Sequence, residues 1–413
     1  MEDISPRPNI GPPVRWLTRN VFAIGMLSLF SDMSHEMVTA VLPLFLASFG
    51  GAAALGTIEG VSDASASLIK LWMSHYSDRM GRRKPVMIAG YIVTTLMGLF
   101  AFATAWWQVL ALRVVAWIGR GARGPVRDAL LAESVPPEAS GRAFGFEASM
   151  DTLGAIIGPA IALALVGTLS YRHIFLVSFL PGLVTIVVVV FVVKDHVRKP
   201  NHALQLLRSL KALPRRFWTY AGAVGVFGLG NFAHTLLILR AATFLGPSLG
   251  TAGAARIALG LYIFHNVIYA AASYPAGALG DRLDKRRLLA CGYALFGVMC
   301  LGFIFVRPSV WELTGLFALA GLYIAVVDTM ERALAADLLP DLGLRGTGYG
   351  ALATVNSFGD LVSSVVVGLL WALVSYSAGF IYGAAFTLAG ALCLFLLKMP
   401  PRLRLQTSTE AAS

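Results

Sequence analysis

Ser77-Asp78-Arg79-Met80-Gly81-Arg82-Arg83 returns 203 residues later as Gly280-Asp281-Arg282-Leu283-Asp284-Lys285-Arg286. At the same offset Asp128-Ala129-Leu130-Leu131-Ala132 faces Glu331-Arg332-Ala333-Leu334-Ala335, Pro137-Glu138 faces Pro340-Asp341, and Arg142 with Gly145 faces Arg345 with Gly348. Asp63 faces Asn266, and at an offset of 199 Asp32 and His35 face Asn231 and His234. Agreement at separate places, with one indel between the first two helices of each copy, marks an internal duplication spanning half the chain.

The sequence between the repeated pieces is apolar. The 413 residues are 57% hydrophobic and 13% charged, with a mean hydropathy of +0.72, whereas a soluble chain carries about 25% charged residues. Twelve runs reach the ~20 residues that a helix needs to cross a bilayer. They lie near 21–47, 53–76, 85–105, 107–130, 143–168, 173–193, 217–245, 254–279, 288–306, 310–336, 346–374 and 376–397. No segment alternates with a period of two, which excludes an outer-membrane barrel. Cys291, Cys300 and Cys393 sit inside apolar runs and read as small buried hydrophobes. The expected fold is an all-α polytopic membrane protein of twelve transmembrane helices in two six-helix pseudo-repeated halves. Its segments are a tail 1–20, a bundle 21–193, a linker 194–216, a second bundle 217–398 and a tail 399–413.

Charge placement sets the orientation. The two tails, the connections on their side and the adjoining helix ends hold 27 of the 33 Lys and Arg residues. The opposite side holds Arg172, Arg256 and Arg307, and Lys70, Arg113 and Arg240 fall within spans. By the positive-inside rule both termini are cytoplasmic. The net charge of +11 is thus a topology signal and gives no reason to expect a nucleic-acid partner. The N-terminal segment shows no cleavable-signal pattern. In the linker, seven basic residues and spaced leucines fit either an amphipathic surface helix or a solvated tether.

The signature between the second and third spans, Ser74-x-x-x-Asp78-Arg79-x-Gly81-Arg82-Arg83, and its second copy, Gly277-x-x-x-Asp281-Arg282-x-Asp284-x-Arg286-Arg287, resemble the loop motif of the major facilitator superfamily. Ser74 replaces the family's leading glycine in the first copy, and Asp284 the inner glycine in the second. The resemblance covers essentially the whole chain. It implies a secondary transporter working by alternating access, with helices 1, 4, 7 and 10 around a central cavity and 2, 5, 8 and 11 beside them. It also implies a latch at the cytoplasmic face, in which Asp78 meets the start of helix 11 with Arg127 or Arg142 nearby. The latch set is Asp78, Arg79, Gly81, Arg82, Arg127, Arg142, Asp281 and Arg282.

The distribution of charge supports that arrangement independently. An ionisable side chain at bilayer depth costs at least ~2.5–3.5 kcal/mol and needs a cavity or a partner. Spans 3, 6, 9 and 12 contain no Asp, Glu, Lys or Arg. Asp32, His35 and Glu36 share one face of span 1, and span 2 aligns Glu59, Asp63, Ser67, Lys70 and Ser74 along a stripe. Desolvation disfavours a charged carboxylate, which is what lets a membrane-embedded acid exchange protons. Asp32 and Glu36, then Glu59 and Asp63, are the proton-coupling candidates. The alternative is that the first two are fixed partners of Arg113 or Lys70, and that the second two gate against span 11. His35, Arg113, Asn231, His234, Asp328, Glu331, Asn356 and Asp360 are the substrate-cavity candidates.

Gly154-x-x-x-Gly158-Pro159 resembles the family's antiporter signature, although Ala162 and Leu163 stand where its closing glycines would be. It implies efflux. Gly119-Arg120-Gly121-Ala122-Arg123-Gly124-Pro125 is not a phosphate loop, since no strand precedes it and no Lys-Ser/Thr closes it. An acid-rich first half suits a cation or a neutral amphiphile exchanged for protons. His35, Glu36 and His234 are weak candidates for a transported transition metal. Arg113, Arg240 and Arg332 suit an anion such as a metal chelate or siderophore. Trp72, Trp117, Phe227, Tyr262, Tyr323 and Trp371 suit a flat organic compound, or simply packing. No HExxH or clustered nucleophile suggests an enzyme, and the loops are too short for a receptor's signalling domain. A lipid flippase on the same fold is a further alternative. The expectation is a proton-coupled exporter in a bacterial cytoplasmic membrane, acting as a monomer. Its expected partners are a small-molecule substrate, protons and the lipid bilayer, with no cofactor and no resident metal.

Overall fold

The computed structural model describes residues 17–47, 49–77, 82–135, 140–195, 210–339 and 342–397. In the first half the spans are α1 (Arg19–Leu46), α2 (Gly51–Ser77), α3 (Lys84–Thr95, continued as a 3-10 turn over Leu96–Phe102), α4 (Trp106–Glu133), α5 (Ser140–Leu165) and α6 (Tyr171–Phe191). In the second half α7 begins as Arg215–Gly228, breaks, and resumes at Thr235. The run Thr235–Arg282 turns back at Gly250, whose φ of 68° is open to glycine without strain. It therefore comprises the second piece of α7 (235–249) and α8 (251–282). Then come α9 (Lys285–Phe305), α10 (Val310–Leu338), α11 (Leu342–Leu373) and α12 (Tyr376–Leu396).

Twelve spans follow from twelve apolar runs, with one correction. Span 217–245, read as a continuous helix, is interrupted at 229–234. Helix starts are marked by side-chain caps. Thr18 accepts from the Val21 N–H, Asp284 from Arg286 and Ser375 from Ala378, each replacing a hydrogen bond that the first turn lacks. Eight described helical stretches are long and apolar enough to cross a membrane by composition alone. Helices α1, α2 and α4 are not among them, because charged and small polar residues lower their hydropathy.

The duplication reappears in the packing. In the first half α1 packs on α5 and α6, α2 on α4, and α3 on α4 and α6. In the second half α7 packs on α11 and α12, α8 on α10, and α9 on α10 and α12, the same set shifted by six. The halves meet where α2 lies against α11, α5 against α8, and α1 against α7 and α8. Gly56, Gly60 and Gly368 line the α2–α11 seam, where a Cβ on Gly60 would come within 2.9 Å of the Leu361 backbone. Near the end away from the termini, the Arg256 Nε–H also donates to the Val166 carbonyl, 3.2 Å away. Residues 1–16, 196–209 and 398–413 lie outside the described residues, and with them part of the expected amphipathic segment.

Candidate functional site

Helix α4 presents Arg113, Trp117, Arg120, Arg123 and Arg127 along one side, and each arginine finds a different partner. Arg113 is 1% exposed and donates to both carboxylate oxygens of Glu59, at 2.9 and 3.2 Å. Its guanidinium also lies over the Trp117 ring, 3.7 Å from the centroid, and close to the Thr39 hydroxyl. Trp117 Nε1–H donates to Asp63 Oδ1 at 2.6 Å. A bidentate carboxylate and an aromatic face together compensate a buried guanidinium. Further along, Arg123 donates to Ser31 at 2.8 Å and lies over Tyr91. Arg127 pairs with Glu147 at 2.8 Å and with Asp128 at 2.9 Å.

These contacts change three expectations. Glu59 and Asp63 are bonded to α4, whereas α2 meets α11 through its glycines and a Ser67–Ser357 hydroxyl pair 2.5 Å apart. Arg113 is enclosed by α1, α2 and its own Trp117 and does not line an opening. It also does not hold Asp32 or Glu36. The nearest cation to Asp32 is Arg120, with 3.8 Å between Nη2 and Oδ1.

Glu36 is placed differently from the other acids. One of its oxygens is 3.2 Å from His35 Nδ1, and the other accepts a 2.8 Å hydrogen bond from the Tyr262 hydroxyl on α8. That hydroxyl lies 3.2 Å from His234 Nε2. His35 is also 2.9 Å from Arg120 Nη1. The duplicated histidines His35 and His234 are thus joined across the interface by a carboxylate and a phenol. His265 completes a stack with Tyr262 and His234. Among the described residues no three His, Cys, Asp or Glu side chains converge as a metal site, and His234 reaches Glu36 only through Tyr262.

The break in α7 carries Asn231 and brings it to Asn356 and Asp360 of α11. Gly228 and Gly230 weaken the helix there, and Gly230 sits against the Gly383 carbonyl with no room for a side chain. The freed backbone is satisfied by α11. Ser363 donates to the Asn231 carbonyl at 2.8 Å, and the Ala233 N–H donates to Ser364 at 3.0 Å. Asn231 Nδ2 donates to Asp360 at 3.0 Å, with Asn356 beside it and the Tyr323 hydroxyl 3.4 Å from Asn231. Asp328 accepts from Tyr269 at 2.9 Å, and Glu331 from Tyr293 at 2.6 Å. Sequence reading missed these tyrosine partners, because a tyrosine in an apolar run carries no mark of the acid it faces. It also missed the break, for which Gly228-Leu229-Gly230-Asn231 was the available signal.

Of the latch residues, Asp78, Arg79 and Gly81 lie outside the described residues, as do the side chains of Arg142, Asp281 and Arg282; Arg82 is exposed. Gly154 and Gly158 pack α5 onto α1, where a Cβ would approach the carbonyl oxygens of Leu29 and Met33 to 2.5 and 2.6 Å. Pro159 follows inside α5.

Comparison with known proteins fits this architecture. The Major Facilitator Superfamily model matches residues 24–264 and 222–413. A Methanocaldococcus jannaschii protein described as an uncharacterised MFS-type transporter is 30% identical over 387 residues, covering 92% of this chain and 96% of that one. The multidrug resistance protein MdtG of Serratia proteamaculans is 26% identical, over 98% of this chain and all of its own. The structure of the nucleoside transporter NupG matches with a TM-score of 0.76 at 11% identity, covering 92% of this chain and 100% of that one, and shows the shared fold. With its duplicated helix contacts and a family match across both halves, this chain belongs to the Major Facilitator Superfamily of membrane transporters.

Proposed function

We propose that the protein is a proton-coupled efflux antiporter, moving a small cationic or amphipathic organic compound out across a bacterial cytoplasmic membrane. The carrying observation is the Glu36–Tyr262 hydrogen bond, which ties α1 of one half to α8 of the other beside His35. A phenol donating to an ionised carboxylate makes a charge-assisted bond, and protonation of that carboxylate weakens it. Proton loading at Glu36 would therefore loosen one half from the other, and a cationic substrate would compete with the proton for Glu36 and Asp32. Efflux is supported by the resemblance of Gly154-x-x-x-Gly158-Pro159 to the antiporter signature and by the relative named for multidrug resistance.

Reading the end with the termini as cytoplasmic, the state described opens inward. Arg120, Asp328 and Arg332 are 36%, 40% and 76% exposed, and charges so exposed within spans favour a water-filled opening over lipid.

The test is transport of a lipophilic cation such as tetraphenylphosphonium in proteoliposomes under an imposed pH gradient. Wild type should accumulate it against its gradient. Glu36→Gln should lose that accumulation while downhill exchange persists. Gradient-driven accumulation at the wild-type rate in Glu36→Gln would sink the proposal.

A further inference from the structure

Arg240 stands apart from the networks above. It lies in the second piece of α7, and Phe244, one turn further along, stacks on its guanidinium at 4.2 Å. The side chain therefore extends towards the end of the bundle away from the termini. Tyr376, at the start of α12, supplies a second ring at 4.3 Å. The two rings favour the cation but do not satisfy its N–H donors. Its Nε is buried without a partner, and no described carboxylate pairs with it. Glu312, in the first turn of α10, accepts instead from the Arg307 N–H at 2.8 Å.

A cavity of about 470 Å³ opens beside this guanidinium, lined by Arg240, Thr243, Phe244, Pro247, Ser248, Pro308 and Tyr376. Thr243 and Ser248 direct their hydroxyl hydrogens to carbonyls of their own helix, at 3.0 Å. Arg240 is left as the charged donor. A planar guanidinium with unfilled N–H groups is suited to bidentate binding of an oxyanion, and the volume falls in the range of small-molecule sites. We propose that this cavity binds a phosphate-type oxyanion on Arg240, away from the Glu36–Tyr262 pathway. The rings and prolines beside it suit the glycerol and upper acyl portion of a phospholipid. The same donor would also hold free phosphate.

The experiment compares delipidated wild type, Arg240→Gln and Arg240→Lys in neutral detergent. Each is titrated with short-chain phosphatidylglycerol, phosphatidylcholine of the same chain length, and inorganic phosphate. Thermal stability is followed, and retained lipid is counted by native mass spectrometry. Wild type should be stabilised by phosphatidylglycerol at a concentration at least ten-fold lower than Arg240→Gln requires, with Arg240→Lys between them. An equal, Arg240-dependent response to inorganic phosphate would establish the oxyanion site and assign it to the free ion. Indistinguishable responses of wild type and both variants to all three ligands would overturn the site. If Arg240→Gln is not monodisperse, Arg240→Lys and Phe244→Leu make the same comparison.

Discussion

Glu59→Ala is expected to destabilise the protein by about 3–5 kcal/mol, because it leaves the Arg113 guanidinium buried without its carboxylate. Arg113 is 1% exposed, and its position between Glu59, Thr39 and Trp117 gives it no route to water. Removing one member of a buried pair costs more than the pair contributes, since the surviving charge keeps its desolvation penalty. The double variant Glu59→Leu/Arg113→Met should recover most of the loss, as no charge then remains to be solvated. Reversible unfolding in mixed micelles, run as a double-mutant cycle, reads the coupling between the two sites. Additive losses would show that the pair does not act as a unit.

Gly56→Leu should push the halves apart at the end remote from the termini. A Cβ on Gly56 meets the Ser364 backbone, and Gly368 is similarly pressed, its Cβ position 2.5 Å from the Ala52 carbonyl oxygen. Overpacking of this kind costs about 1–3 kcal/mol, which corresponds to roughly a 5- to 150-fold change in the ratio of two conformations. Only the conformation with α2 and α11 seated together carries that cost, so the population should move towards the opposite one. Spin labels at Thr168 and Thr251, both exposed at that end, should show a longer distance in a cysteine-free background. Gly56→Ala should give a smaller shift in the same direction. A distance distribution identical to the parent's in both variants would mean that this seam does not control the equilibrium.

Much of this architecture was legible in the chain itself. Apolar runs of bilayer length require helices, because no other backbone arrangement within lipid satisfies its own hydrogen bonds except a closed barrel. The repeated loop motif and the paired Asp32/Asn231 and His35/His234 positions announced two related halves. The confinement of charge to particular spans marked α1, α2, α4, α5, α7, α8, α10 and α11 as the helices that need polar partners before any contact was known.

Pairing was another matter. Helical spacing says that Asp32, His35 and Glu36 share a face, but not which neighbour that face meets. Arg113 was expected beside Asp32 or Glu36, and only the placement of α2 against α4 gave it to Glu59. The α7 break was hidden because Ser363 and Ser364 of α11, more than a hundred residues away, satisfy its freed backbone.

Local composition and period thus set which segments cross the membrane and which of them carry charge, since both follow from the cost of placing each side chain in hydrocarbon. Which acid meets which base, and that Glu36 reaches Tyr262 in the other half, depended on how the twelve helices pack. Those contacts join residues distant in the chain, and no pattern within one helix encodes them.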